Sequence, residues 1–275
     1  MEHIITFSNG SQVCPLGQGT WKMGQSAARR TEEIRALRRG IDLGMNIIDT
    51  AEMYGNEEMV GEAIRDCRNE VFLVSKVLPN NASYQGTKLA CERSLRRLDT
   101  DYLDLYLLHW RGSHPFAETV RAMTELQQED KIRMWGVSNM DVSDMERFYN
   151  IPDGRTCAAN QVLYNLNERG IEYDLLPWSA NNEMPVMAYS PVGEGRLTSH
   201  KTLTEIARRH EATPVQIALA WVMRHPDVIA IPKAGSVGHV EENHRSLSIR
   251  LTEQDLQELD AAFPAPSQKI PLAGW

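Results

Sequence analysis

Short hydrophobic runs alternate with longer amphipathic stretches along most of the chain. The runs Val71–Val74 and Leu103–Leu108 contain few polar positions, which is typical of parallel strands buried on both faces. The amphipathic stretches carry hydrophobic residues three or four positions apart, for example Ile34, Leu37 and Ile41, and this spacing indicates helices with one buried face. The pattern therefore predicts a regular alternation of strand and helix.

The alternation predicts eight strands in a chain of 275 residues. Eight strands separated by helices favour an α/β fold, a (β/α)8 TIM barrel that occupies residues 1–275 as one domain. The predicted strands are Leu16–Thr20, Asn46–Asp49, Val71–Lys76, Tyr102–His109, Ile132–Val137, Cys157–Gln161, Pro185–Tyr189 and Val228–Pro232. The predicted helices are Ser26–Leu43, Glu58–Cys67, Tyr84–Leu98, Phe116–Gln128, Val142–Tyr149, Gly170–Ser179 and Lys201–His225, the last divided at Thr213-Pro214.

The first residues have a different pattern. Ile4–Phe7 and Gln12–Cys14 flank Ser8–Ser11, whose central Asn-Gly pair is typical of a β-hairpin turn. Because a parallel barrel does not contain hairpins, we expect this N-terminal β-hairpin to plug one end of the barrel.

Composition narrows the class of protein. Hydrophobic residues make up 42 % of the chain and charged residues 24 %, which is ordinary for a globular protein. The net charge of −8 argues against nucleic acid as a partner. The four cysteines have no metal-type spacing, and neither a signal peptide nor a membrane-spanning run is recognisable. We expect a cytoplasmic protein without a nucleic-acid or membrane partner.

Polar residues occur at the C-terminal ends of the predicted strands. Asp49, Lys76 and His109 end three of them, and Tyr54 lies on the loop after Asp49. In a (β/α)8 barrel these strand ends share one face, where catalytic groups lie. A charged lysine there is costly unless paired, so we expect it to bind Asp49. We also expect the lysine to lower the pKa of Tyr54 from its ordinary value of about 10 toward neutral.

Together these four side chains are suited to giving a proton to a carbonyl oxygen. Three of them also have a structural explanation when taken singly. Asp49 could cap a turn, Tyr54 could be a half-buried surface aromatic, and His109 could be a barrel histidine with satisfied hydrogen bonds. Explaining the whole set in this way requires four separate coincidences at one barrel end, so we favour a catalytic role.

Further motifs follow one another over nearly the whole chain: Gly17–Lys22, Asp49–Glu57, Val74–Lys76, Ser94–Leu98 with Leu107–Trp110, Gly136–Asn139, Asn160–Gln161, Tyr189–Pro191 and Ile231–Lys233. Each motif is short and weak by itself, but in this order the set is specific. The chain resembles the aldo-keto reductase family, and within it the small bacterial reductases of methylglyoxal and 2,5-diketogluconate.

The resemblance implies NADPH-dependent reduction of small aldehydes and α-dicarbonyls, with NADH as a weaker cofactor. Tyr54 would be the general acid, tuned by Lys76 and Asp49, and His109 would orient the substrate carbonyl. The implied cofactor contacts are Gly19, Thr20, Trp21, Asp49, Ser138, Asn139, Gln161, Tyr189, Ser190, Pro191, Val192, Gly193, Ile231, Lys233, Ser236, His239, Glu242 and Asn243. The implied substrate pocket consists of Trp21, Tyr54, Leu78, His109 and Trp110.

The family binds its dinucleotide extended across the barrel end, so no Gly-x-Gly-x-x-Gly motif is needed. By the resemblance, Ser138, Asn139 and Gln161 would hold the nicotinamide carboxamide. Tyr189 would stack on the nicotinamide ring, and backbone amides of 190–195 would meet the pyrophosphate.

At the other end of the dinucleotide, Lys233 and Ser236 would meet the adenosine 2′-phosphate, with Glu242–Asn243 near the adenine. Here the chain departs from the family pattern, because Ala234 and His239 stand where the family usually has serine and arginine. Histidine cannot supply a bidentate guanidinium. We therefore expect only a modest preference for NADPH over NADH.

Two loops are also shorter than in vertebrate members of the family. They are the segment between Tyr189 and Lys201 and the tail Pro264–Trp275, which the sequence predicts to be a loop. We therefore expect an open site that the short tail does not cover.

Rival functions fit the sequence less well. A cofactor-binding regulatory subunit of the same fold, without significant turnover, would not need the complete set of Asp49, Tyr54, Lys76 and His109. A phosphate-binding barrel isomerase or a metal hydrolase would be expected to show a His-x-His pair or an acidic cluster, so we expect no metal site. The sequence thus favours a monomeric reductase that acts on a small carbonyl substrate.

Overall fold

The computed structural model describes residues 4–274, and within that range ten strands are present. Two form a hairpin and eight form one parallel sheet, in which each strand pairs with the next along the chain. Bridges from Leu16 to Ala230 and from Gly19 to Lys233 close the sheet, which confirms the predicted (β/α)8 barrel. The strands are β1 (Ile5–Thr6), β2 (Gln12–Val13), β3 (Gln18–Gly19), β4 (Ile47–Asp49), β5 (Phe72–Val77), β6 (Leu103–Leu108), β7 (Ile132–Ser138), β8 (Asn160–Leu163), β9 (Val186–Tyr189) and β10 (Val228–Ala230).

The hairpin plugs the barrel, as predicted. Its strands β1 and β2 pair antiparallel, with Ile5 opposite Val13. Both residues, together with Phe7, join a buried cluster made of side chains from inside the barrel. The Phe7 ring stacks on Phe72 at the start of β5, with ring centroids 4.8 Å apart. The plugged end is therefore the end where the strands begin, and the opposite end remains for a site.

Helices cover the outside of the barrel, and their hydrophobic faces form the larger buried cluster against the strands. The predicted division at Thr213-Pro214 is confirmed, since one helix ends at Arg209 and the next begins at Pro214. None of the helices in residues 4–274 has the length and hydrophobicity needed to cross a bilayer. The helices are α1 (Ala27–Asp42), α2 (Glu57–Ile64), α3 (Tyr84–Leu98), α4 (Phe116–Gln128), α5 (Val142–Tyr149), α6 (Leu175–Asn181), α7 (Lys201–Arg209), α8 (Pro214–Val222), α9 (Val237–Arg245) and α10 (Glu253–Ala262).

One strand lies later in the chain than predicted. The sequence predicts Cys157–Gln161, whereas β8 runs from Asn160 to Leu163, because Gly154–Thr156 forms a short 3-10 turn. The indole N–H of Trp135 holds this turn by donating to the Thr156 hydroxyl at 2.9 Å. As a consequence, Gln161 lies within the strand and not at its end.

The hydrophobic pattern predicts no helix after the last strand, yet α9 and α10 follow it. Both have N-terminal caps that the sequence does reveal. Thr252 and Asp255 form a reciprocal capping box at α10, and the Ser236 hydroxyl accepts from the backbone N–H of His239 at α9. A search for Ser or Thr followed three residues later by an acidic residue would have located α10.

The close approach of α1 to β3 depends on a glycine. Gln18 of β3 is buried, and its side-chain N–H groups donate to the backbone oxygens of Leu37 and Met45 at 3.1 and 3.2 Å. A Cβ on Gly40 of α1 would lie 2.2 Å from the Gln18 side chain. Only glycine at position 40 leaves room for this buried amide.

We expect Gly40→Ala to destabilise the protein, although alanine is favoured over glycine in helices by about 1 kcal/mol. The added methyl would displace Gln18, whose two hydrogen bonds contribute about 0.5–1.5 kcal/mol each, and overpacking typically costs about 1–3 kcal/mol. Urea unfolding followed by circular dichroism measures the change. The control is Gly238→Ala in α9, where a Cβ would have no neighbour within 4 Å, and we expect it to be neutral or stabilising. Equal effects of the two substitutions would contradict this account.

Candidate active site

The four residues predicted to act together lie at one end of the barrel, the mouth, where the C-terminal ends of the strands meet. Asp49 ends β4, Lys76 lies in β5, His109 follows β6, and Tyr54 lies on the turn after β4. The Lys76 ammonium donates to Asp49 Oδ1 at 2.6 Å and lies 3.3 Å from the Tyr54 hydroxyl. Lys76 is completely buried, and the Asp49 carboxylate compensates its charge. The predicted ion pair is therefore present.

Tyr54 is held in its protonated form. Burial raises the pKa of Tyr54, and this effect exceeds the opposing effect of the Lys76 ammonium. Lys76 does act in the expected direction, but the net shift is upward, so the expectation of a Tyr54 pKa near neutral is wrong. The reason is that partial burial of the phenol disfavours the phenolate, while the nearby Asp49 carboxylate offsets the charge of the lysine. A phenol with a raised pKa can donate a proton throughout the neutral range.

His109 is neutral, and Lys76 is cationic. Burial, assisted by the nearby ammonium, lowers the pKa of His109 to about 2. Burial also opposes the charge on Lys76, but Asp49 and Tyr54 together raise its pKa above the ordinary value. His109 Nδ1 is buried and has no hydrogen-bond partner within residues 4–274. A neutral imidazole can donate one hydrogen bond to a ligand but cannot act as a cationic acid.

Aromatic rings form one wall of the mouth. The Trp21 ring meets the edge of Tyr54 at a centroid distance of 4.9 Å, and Tyr54 lies 5.8 Å from the His109 ring. Trp110 follows at 4.6 Å from His109. Trp21 and Trp110 are 42 % and 36 % exposed, so the wall is open to solvent. Leu78, the other residue predicted for the pocket, is partly buried beyond the end of β5.

The sequence analysis assigns no role to Glu57, the last residue of the Asp49–Glu57 motif, yet its carboxylate helps to position the turn that carries Tyr54. Glu57 is 1 % exposed and accepts hydrogen bonds from the Ser75 hydroxyl at 2.6 Å and from Arg97 Nε at 2.7 Å. Ser75 directly precedes Lys76 in β5. The hydrogen bond from Ser75 therefore connects the start of α2, which follows the Tyr54 turn, to β5, the strand that carries Lys76.

Glu52 makes a similar connection on the other side of Tyr54. Its carboxylate accepts from the backbone N–H of Leu78 at 2.7 Å and lies 3.7 Å from Arg93. Arg93 and Arg97 are one turn apart on α3, so this helix supports both carboxylates. The sequence shows that acidic residues stand on either side of Tyr54. Which arginine each of them contacts depends on where α3 packs, and the sequence does not show this.

The polar side chains predicted for the nicotinamide form a hydrogen-bonded group at the mouth. The Tyr189 hydroxyl donates to Asn139 Oδ1 at 2.8 Å, and Asn139 Nδ2 donates to the Ser138 hydroxyl at 3.1 Å. The Gln161 amide donates to the second oxygen of Asp49 at 2.7 Å. The structure thus brings these four predicted residues together beside the Lys76–Asp49 pair.

The predicted pyrophosphate loop has an unusual backbone. Ser190, Gly193, Glu194 and Gly195 all have positive φ angles between 47° and 84°. Such a backbone can turn successive N–H groups toward one side, and concave surfaces of this kind bind anions. Glu194 also lies 3.8 Å from Lys22, on the segment after β3, so this loop is connected to a strand end two positions further around the closed barrel.

Several of the other residues predicted to contact the cofactor shape the backbone at the mouth of the barrel. Pro191 is buried and Val192 is partly buried within the loop. Gly19 lies against the backbone of Ile231, since a Cβ on the glycine would be 2.7 Å from that carbonyl oxygen. The Thr20 hydroxyl is buried and donates to the backbone oxygen of Asp49 at 2.9 Å. We attribute to Thr20 a role in fixing the end of β4.

Of the residues predicted to contact the adenosine end of the dinucleotide, some lie at the surface and others in the interior. Lys233 and His239 are exposed, and Ser236 is partly exposed at the start of α9. Glu242 accepts a hydrogen bond at 2.7 Å from the hydroxyl that caps α8, and Asn243 is buried. The first three are therefore accessible to a phosphate, whereas Glu242 connects α9 to α8 and Asn243 is an interior residue.

The C-terminal tail reaches the mouth. Lys269 forms an ion pair with Asp174 at 2.9 Å. A Cβ on Gly274 would lie 3.7 Å from Asn139 Oδ1 and 3.8 Å from the Tyr189 hydroxyl. The expectation that the short tail leaves this side of the site uncovered is therefore wrong.

The arrangement can donate a proton to a carbonyl oxygen. A protonated phenol, a cationic lysine and a neutral imidazole share one pocket beside an aromatic wall. Among residues 4–274, no group of three or more His, Cys, Asp or Glu side chains is placed to hold a metal ion.

We expect Arg97→Met to destabilise the protein by about 1–3 kcal/mol, because it leaves the buried Glu57 carboxylate without its cation. The figure is below the roughly 3–5 kcal/mol typical of a fully buried pair, since the Arg97 side chain is 33 % exposed. Urea unfolding measures the loss. Arg96→Met is the control, because Arg96 is exposed and forms no ion pair in the described part of the chain.

A second substitution tests the cause. Adding Glu57→Gln to Arg97→Met removes the unpaired charge but keeps an acceptor for Ser75, so part of the lost stability should return. If the double variant is less stable than Arg97→Met by the full effect of Glu57→Gln alone, the two residues are not coupled and the account is wrong.

Comparison with known proteins agrees with this geometry. The model of the aldo/keto reductase family matches residues 15–263. A methylglyoxal reductase, YeaE, of Escherichia coli K12 is 52 % identical over 98 % of both chains. A glyoxal reductase of Bacillus subtilis is 33 % identical and covers 95 % of this chain and 93 % of its own.

A solved structure is also closely similar. The aldo-keto reductase of Klebsiella pneumoniae in complex with NADPH has a TM-score of 0.98 and 50 % sequence identity, and the match covers 100 % of both chains. The family model covers most of the chain, the relatives match it over nearly their full length, and the barrel carries the polar cluster at its mouth. This chain belongs to the aldo/keto reductase family.

Proposed function

We propose that this protein uses NADPH to reduce small aldehydes and α-dicarbonyls such as methylglyoxal to alcohols, with Tyr54 as the proton donor. The observation that carries the proposal is the partly buried, protonated phenol 3.3 Å from an ammonium that is itself paired with Asp49. The substrate class is supported by the names of the methylglyoxal and glyoxal reductases among the relatives. The cofactor is supported by the similar structure that contains NADPH.

The mouth fits an extended dinucleotide. The amides of Asn139 and Gln161, with the Ser138 hydroxyl, offer donors and acceptors of the kind a carboxamide needs. Tyr189 would lie against the nicotinamide ring, and the positive-φ backbone of 190–195 suits the pyrophosphate. When bound, NADPH supplies the hydride that the carbonyl carbon receives.

In the proposed reaction, the Tyr54 hydroxyl gives its proton to the carbonyl oxygen of the substrate. The Lys76 ammonium then stabilises the phenolate that remains, because the two groups are in hydrogen-bonding contact. Asp49 keeps the fully buried lysine charged. His109, being neutral, would orient the carbonyl oxygen through its ring N–H.

Substrate selection would be broad. Trp21, Leu78 and Trp110 provide an apolar, partly exposed wall with few fixed polar groups. A hydrophobic pocket distinguishes substrates by only about 1–3 kcal/mol for each methylene. We therefore propose activity on methylglyoxal and aromatic aldehydes alike, with poor affinity for open-chain sugars.

We further propose that the enzyme acts as a monomer in the cytoplasm and that residues 1–275 form one domain. The net charge and the lack of disulfide bonds among the described cysteines support this setting. Three of the exposed large hydrophobic residues, Trp21, Met53 and Trp110, lie at the mouth, where a substrate accounts for them without a second subunit.

The decisive experiment is Tyr54→Phe, which removes the acid and keeps the ring. We expect kcat for methylglyoxal to fall by about 10²–10⁴-fold, the usual contribution of general acid catalysis, while the NADPH Kd stays nearly unchanged. Steady-state kinetics and quenching of NADPH fluorescence measure the two quantities. Tyr173→Phe is the control, because Tyr173 is a surface residue 49 % exposed. A wild-type protein that binds NADPH but turns over no carbonyl substrate would instead favour the cofactor-binding regulatory subunit.

The pH dependence follows from the raised pKa of Tyr54 and the lowered pKa of His109, about 2. The active form is the protonated phenol, so the activity is lost only as pH rises through a pKa above the ordinary value of about 10. At saturating NADPH, kcat/KM for the aldehyde should be flat from about pH 6 to about pH 9, with no acidic limb near the ordinary histidine value of about 6.5. An alkaline limb centred near neutral pH would show that Tyr54 ionises much more readily than this structure indicates.

A further inference from the structure

An arginine from the first helix reaches the loop that follows the last barrel strand. Arg29 lies in the first turn of α1, and its Nη2 is 2.9 Å from the point where a Cβ on Gly235 would stand. Gly235 lies between Lys233 and Ser236, the two residues assigned above to the adenosine 2′-phosphate. The guanidinium thus covers the backbone in the middle of that segment.

The buried residue Glu33 explains the orientation of this arginine. Glu33 is 2 % exposed, and one of its oxygens accepts from the backbone N–H of Gly24 at 2.8 Å. The other oxygen lies 3.8 Å from Arg29 Nε. Because the contact is made through Nε, the outer nitrogen Nη2 remains directed at Gly235. The Arg29 side chain is 55 % exposed, so its guanidinium is accessible to a ligand that binds at this corner.

Other cations near this corner are less suited to binding a phosphate. Lys22 is paired with Glu194, and Arg39 of α1 is paired with Glu241 of α9 at 2.8 Å. Lys233 is exposed and forms no ion pair within residues 4–274, but it presents a single ammonium. His239 is exposed and carries no guanidinium.

We propose that Arg29, acting with Lys233, binds the adenosine 2′-phosphate and is a specificity-determining residue for NADPH over NADH. The inference rests on the proposed function, in which Lys233 lies beside that phosphate. A guanidinium offers two parallel N–H donors that match phosphate oxygens. The 2′-phosphate carries about two negative charges, on a protein whose net charge is −8, so local cations decide the preference. Arg29 of α1 thus supplies the guanidinium that His239 lacks.

The test is Arg29→Met, with NADPH, NADH and 2′,5′-ADP as probes. Loss of a charge-assisted contact should raise the Kd for NADPH and for 2′,5′-ADP by about tenfold to a hundredfold and leave the Kd for NADH unchanged. Arg29→Lys should retain part of the affinity. The salt dependence of NADPH binding should also become weaker. Fluorescence quenching measures the dinucleotides, and isothermal titration calorimetry measures 2′,5′-ADP.

Arg30→Met is the matched control. Arg30 is adjacent in sequence, but its guanidinium binds Glu62 at 2.8 Å, on the side toward α2. We expect this variant to bind both dinucleotides as the wild type does. An Arg29→Met variant that loses NADH affinity as much as NADPH affinity would indicate a general structural effect and overturn the inference.

Lys233→Met separates this inference from the proposed function. If Lys233→Met lowers the preference for NADPH and Arg29→Met does not, the phosphate lies where proposed and Arg29 takes no part. If neither substitution changes the preference of a wild type that favours NADPH, the phosphate lies elsewhere and both assignments are wrong. Reduction of methylglyoxal by the wild type with NADH, which carries no 2′-phosphate, would show in either case that turnover does not depend on this part of the site.

Discussion

The buried pair of Lys76 and Asp49 is the interaction on which the rest of the mouth depends. Removing two such charges from water is costly, and their attraction repays the cost only when the remaining hydrogen-bonding groups are also satisfied. Here the ammonium also donates to the Thr50 carbonyl oxygen, and the second Asp49 oxygen accepts from Gln161. The pair thereby links β4, β5 and β8. It also contributes to the charge states of Tyr54 and His109, since the ammonium acts on both.

Much of this arrangement could be predicted from the sequence because parallel strands all point the same way. Once the alternation of strand and helix predicts a barrel, the residues at the strand ends must share a face, and the Lys76–Asp49 contact follows from the cost of an unpaired charge. The ionisation of Tyr54 could not be predicted in this way. Which of burial and a neighbouring cation prevails depends on how much water the packed loops exclude, and no local motif records that.

Contacts between residues that lie far apart in the chain also could not be predicted from the sequence. Glu57 and Arg97 are individually unremarkable charged residues in sequence, and only the packing of α3 against the Tyr54 turn makes them partners. Arg29 and Gly235 meet because closure of the barrel places α1 beside the start of α9. The α10 helix, by contrast, had a readable capping signal at Thr252, so its omission reflects reliance on hydrophobic periodicity alone.

The two ends of the described chain lie at opposite ends of the barrel, and this matters for attaching the enzyme to anything else. Ile4 leads directly into the hairpin that plugs the closed end, whereas Gly274 lies beside Asn139 and Tyr189 at the mouth. A fusion partner or solid support joined before Ile4 would face away from the catalytic groups. One joined after Gly274 would emerge among them and compete with ligands for space. Immobilisation through the N-terminal side therefore leaves the mouth accessible.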